Sequence, residues 1–140
     1  MAVDHADDSQ VIDLFARIRS EQKGRLDILV NNVYAGVDII AENSDKGKKF
    51  WELGPDESPA TFWDVVNGVG LRNHYICSVL ATRMMLEYRD ELNESTEGEV
   101  KESKLSGSNR PGLIFNISSL GGLRYLFAVP YGVGRPCLFE

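Results

Sequence analysis

Two adjacent hydroxyls, a phenol and a cation form the most chemically suggestive pattern in the chain. Ser118 and Ser119 follow the apolar run Leu113-Ile114-Phe115-Asn116-Ile117, Tyr131 lies twelve residues beyond Ser119, and Arg135 four beyond Tyr131. A tyrosine and a cation four apart on one helix share a face. The cation favours the phenolate and lowers the phenol from about 10 towards a range where it exchanges protons near neutrality. A nearby serine hydroxyl polarises a carbonyl or holds an alcohol. Joined, these groups would transfer a proton in carbonyl–alcohol chemistry. Taken singly, each has an ordinary reading: Ser-Ser after a strand serves a turn, and Tyr-x-x-x-Arg is usually structural.

The elements that must position these groups are readable from hydrophobic spacing. Val11, Leu14, Phe15 and Ile18 recur at helical intervals and predict a helix from Asp8 to about Arg19, capped by Asp8 or Ser9 and closed before Gly24. Leu26 to Asn32 is a short apolar run with β-branched members, the pattern of a strand buried on both faces. Leu113 to Ile117 is a second, and its carboxyl end, where the serines sit, is where open α/β sheets bind ligands. Tyr34 to Gly54 reads as a loop. Ser58-Pro59 opens a long helix with an apolar stripe from Phe62 to Met84, Ser58 as cap and Pro59 at the first position. Gly68 and Gly70 interrupt that helix at about 1 kcal/mol each, which suggests close approach by a neighbour. From about 87 to 111 the chain turns polar and is expected to be an exposed insertion, with a charged tail of the preceding helix as the competing reading of its first turns. Helix, strand, helix, strand in this order predicts α/β architecture with a parallel sheet.

The chain has 140 residues, 43% of them hydrophobic and 26% charged, so one globular domain is expected and whole-chain disorder is not. Its net charge of −6 disfavours a uniform nucleic-acid face. No apolar run is long enough for a transmembrane helix, and the acidic amino terminus does not read as a signal peptide. Cys77 and Cys137 are too few for a disulfide framework or a zinc site, so no metal is expected and a reducing, cytoplasmic setting is the better reading.

In sequence order, LDILVNNVYAG, a long helix, LIFNISSLGG and YGVGR resemble the short-chain dehydrogenase/reductase family from about Val3 to Gly134. The resemblance implies a partial Rossmann-type doubly wound parallel sheet, three-layer α/β/α, lacking its first two and last two strands. It implies an NAD(P)(H)-dependent oxidoreductase acting on a carbonyl or secondary alcohol, with NAD or NADP as cofactor. Tyr131 would be the catalytic acid/base, Ser119 the substrate-orienting serine and Arg135 the stand-in for a lysine. The usual spacing to the tyrosine would pick Ser118, whereas place within Ile-Ser-Ser picks Ser119. Asp4 would contact the adenine, and Asn31, Asn32, Ala35 and Gly36 would support the sheet and line the adenosine ribose. For the two asparagines, capping of the strand end is the rival reading.

The chain departs from the family pattern in four places. It has no Gly-x-x-x-Gly-x-Gly to cradle a pyrophosphate. Arg135 keeps the lysine's charge but not its compact ammonium. Pro136 follows at once, where proline breaks helices. The helix asparagine of the family's tetrad aligns best with Gly70, with Asn67 one turn away. The expectation is therefore an incomplete form with weak activity or none. A non-catalytic protein that docks a partner through its long helix is the alternative, and self-association through that helix is the expected oligomer contact.

Overall fold

The computed structural model describes residues 2–44, 49–52, 58–95 and 112–134. They form two units, one of Met1–Leu29 and Cys77–Phe115, the other of Val30–Ile76 and Asn116–Glu140.

In the first unit, helix α1 spans Asp8–Glu21. Its cap is Asp7, one residue earlier than expected: Asp7 has extended backbone and accepts hydrogen bonds from the Ser9 and Gln10 amides. The Ser9 hydroxyl and the Gln10 carboxamide also donate to it, and these bonds hold its carboxyl below the usual aspartate value. The helix stops at Lys23 and Gly24, both with positive φ, and the Gly24 amide returns to the Arg19 carbonyl. Val11 and Phe15 point inward from α1. Cys77, Ala81, Met84 and Met85 are buried on helix α4, Asn73–Ser95. Burial also raises the Cys77 thiol above its ordinary value.

Strands β1, Ile28–Asn31, and β2, Leu113–Asn116, make a two-stranded sheet. The Leu113 amide bonds the Asp27 carbonyl and the Ile117 amide bonds the Asn31 carbonyl, both at 2.9 Å. The constant offset means parallel pairing. Neither strand is buried on both faces, contrary to expectation. Ile28, Val30, Leu113, Phe115 and Ile117 share one face at alternate positions and are each about half exposed. Continuous apolar character predicts two covered faces, yet no element among the described residues buries this one.

In the second unit, Val37–Ser44 form helix α2, where a loop was expected. Its β-branched residues favour strands in isolation, but Ile39 and Ile40 pack into a cluster with Phe62, Val66, Ala128 and Tyr131, and tertiary burial outweighs propensity. Helix α3, Pro59–Asn67, has the expected Ser58 cap, whose hydroxyl accepts from the Thr61 amide at 3.5 Å. A π-type turn, Gly68–Arg72, joins it to α4, Asn73–Ser95, so the predicted long helix exists with an interruption at its two glycines. Helix α4 continues through the first turns of the polar stretch, and residues 96–111 lie outside the described ones. A 3-10 turn, Leu120–Gly122, and the short helix α5, Val129–Gly134, complete the unit.

Candidate active site

The second unit brings Ser119 and Tyr131 together. Ser119 follows β2 in extended conformation and caps the 3-10 turn, its hydroxyl accepting from the Gly121 amide at 3.1 Å. Tyr131 sits in α5, only 9% exposed, and its hydroxyl lies 2.5 Å from Ser119 Oγ. Two features hold the phenol there. Its ring lies over Gly121, where any Cβ would strike it. Tyr34 and Phe127 meet that ring edge-on, with centroids 5.9 Å and 5.7 Å away.

Phe127 is itself unusual. The Ala128 amide bonds the Leu126 carbonyl at 2.8 Å, closing a three-residue turn around Phe127, whose φ is +63°. Such a turn is rare and strained, and a bulky residue at positive φ costs of order 1–3 kcal/mol. The Tyr125 hydroxyl donates to the Phe127 carbonyl at 3.4 Å and helps hold it.

Tyr34 fills the space offered by two glycines. A Cβ at Gly36 would meet its phenol oxygen, and one at Gly70 would collide with its ring. The close neighbour expected at the helix glycines is thus real for Gly70, whereas Gly68 faces open space.

The other sequence candidates have different surroundings. Asn31 is buried, and its amide donates to the His74 carbonyl at 3.3 Å and to Asn116 Oδ1 at 2.8 Å. His74 Nε2 in turn lies 2.9 Å from the Val33 carbonyl. Asn31 therefore ties strand ends to the start of α4, as the capping reading requires. Asn32 and Ala35 are exposed and Gly36 is buried. Asp4 belongs to the first unit, where it is exposed and accepts from the Ala6 amide at 2.9 Å. Arg135 and Pro136 lie outside the described residues. No metal-binding cluster occurs among the described residues.

One polar group that sequence reasoning set aside lies against these elements. Asn67, at the end of α3, is 5% exposed, and its Nδ2 makes no hydrogen bond among the described residues. Its Oδ1 occupies the position a Cβ on Gly134 would need. It lines a small crevice with Tyr34 and Tyr131. The available signal was an asparagine set directly between Val66 and the glycine turn of an apolar stripe, where a polar side chain costs stability unless it has a use.

No protein-family model matches the chain. It is 43% identical over 132 residues to Dehydrogenase/reductase SDR family member 1 of Mus musculus, and equally to that of Homo sapiens, over 94% of this chain. The matched segment is 33% of each relative, so the chain spans about a third of the length of the curated relatives it matches.

Proposed function

We propose that this chain, whose sequence is of the short-chain dehydrogenase/reductase type, carries the proton-transfer half of an oxidoreductase site acting on a carbonyl or secondary alcohol. The observation that supports the reading best is the 2.5 Å approach of Ser119 Oγ to Tyr131 OH at the carboxyl end of a parallel strand. With its lone pair engaged by the Gly121 amide, the serine hydroxyl donates to a substrate oxygen, and the tyrosine delivers the proton as that oxygen becomes an alcohol. Arg135 is assigned the role of favouring the phenolate in the reverse direction. Asn67, at the end of α3, lines the same small crevice as Tyr131.

A nicotinamide cofactor would supply the hydride. Asn32 and Ala35, exposed beside buried Gly36, are the residues that would line its ribose. The two parallel strands are read as neighbours within a doubly wound, Rossmann-like three-layer sheet.

The rival reading, partner docking through the long helix, needs the apolar stripe at the surface. Of that stripe Phe62, Val66, Val69 and Met84 are buried, Ile76, Val79 and Leu80 are half-buried and Val65 is exposed, so only part of it is open to a partner.

The test is carbonyl-dependent consumption of NADPH or NADH, followed by its absorbance, with fluorescence of Trp51 and Trp63 reporting saturable cofactor binding. Tyr131→Phe should lower the rate by about 100-fold or more with cofactor binding retained. A rate equal to that of the unmodified chain would overturn the assignment.

A further inference from the structure

A cavity of about 210 Å³ lies in the second unit, walled by Phe50, Phe62, Trp63, Tyr125, Phe127 and Pro130. Four of these aromatic side chains are 42–68% exposed, a large apolar cost to leave open to water unless something covers them. Its wall runs through Ala128, Val129 and Pro130 directly into Tyr131. Phe127 belongs to the cavity and also meets the Tyr131 ring edge-on, so a single side chain separates the cavity from that ring. The strained turn at Phe127 sets its ring edge-on to Tyr131 on one side and leaves the rest, about half of it, exposed in the cavity. Strain of that kind is retained where a side chain is aimed at a ligand.

From these features, and resting on the oxidoreductase reading above, we infer that the cavity receives the aryl end of an uncharged carbonyl compound. Phe127 is the wall that sets its orientation towards Ser119 and Tyr131. Aromatic edges and faces on several sides suit a flat ring better than an aliphatic one of equal size. Size sets a bound: apolar cavities of about 150 Å³ accept benzene, so this one takes a single ring with a short substituent. The two rim charges have other contacts. The Glu52 carboxylate accepts from the Lys49 amide at 3.0 Å, and the Lys49 ammonium sits 5.2 Å from the Trp51 ring centroid. With one ammonium and one carboxylate the rim carries no net charge, and the cavity does not select an anion.

The experiment uses the full chain carrying Trp51→Phe, which leaves Trp63 in the cavity wall as the sole tryptophan reporter. Acetophenone should quench it saturably without any cofactor. Benzoate should not saturate, and cyclohexyl methyl ketone should bind several-fold more weakly. Phe127→Gly, whose backbone is at ease at positive φ, should weaken acetophenone about tenfold while the circular dichroism spectrum is kept. Phe127→Asn, also tolerant of that φ, serves if the glycine variant loses its fold. Undiminished affinity in these variants, or benzoate or the cyclohexyl ketone binding as tightly as acetophenone, would overturn the inference. Acetophenone bound through Phe127 but never reduced would sustain the cavity and remove the oxidoreductase reading. Aliphatic ketones reduced through Tyr131 with no arene bound would do the reverse.

Discussion

The reactivity proposed for Tyr131 depends on a residue with no side chain. Gly121 lets the phenol ring lie flat on the turn that Ser119 caps, and a methyl group there would meet ring carbons rather than a yielding side-chain end. Gly121→Ala should therefore cost about 1–3 kcal/mol in urea unfolding and separate the two hydroxyls, with a loss of turnover to match. Gly132→Ala, one residue along from Tyr131, meets only a carbonyl at 3.9 Å and should be neutral or slightly stabilising. Equal effects at the two sites would contradict this account. That a serine and Tyr131 could meet was legible from residue type and the strand-end position, whereas the family resemblance alone picks Ser119 over Ser118. Asn67 was not legible, because its significance lies in burial and in the glycine opposite, neither of which a linear spacing records.

Among the elements, α1 and α3 were legible from caps and period, since both signals are local. Helix α2 was not: its short apolar run acquires helical form only against Phe62 and Val66, which lie far along the chain. The strands were located correctly, but their burial was misjudged. A continuous apolar run cannot say whether a covering layer is present. The contrast gives an energetic expectation. Met84 is 1% exposed, and Met84→Ala should cost about 2–5 kcal/mol in chemical denaturation. Phe115, half exposed on the sheet, should tolerate Phe115→Thr for about 1 kcal/mol or less. A larger loss at Phe115 would mean that its face is covered after all.

At the scale of the whole molecule, the chain is acidic and no described helix is long and apolar enough to cross a membrane. One continuous helical run, from Pro59 to Ser95, contributes residues to both units. Its π-type turn carries one residue more than regular winding needs, and the Asn73 amide reaches back five positions to Gly68. Evolution and the protein engineer thus meet an inversion of the usual rule about reading-frame-preserving indels inside helices. Excision of Gly68, around which there is open space, would let the segment close to ordinary α geometry, turning the residues before it relative to those after. The melting midpoint of that deletant should stay level or rise while Asn67 is pulled out of register with Gly134. A fall of more than a few degrees would show that the extra residue serves stability, whereas a level midpoint with lost turnover would mark it as stability given up for catalysis.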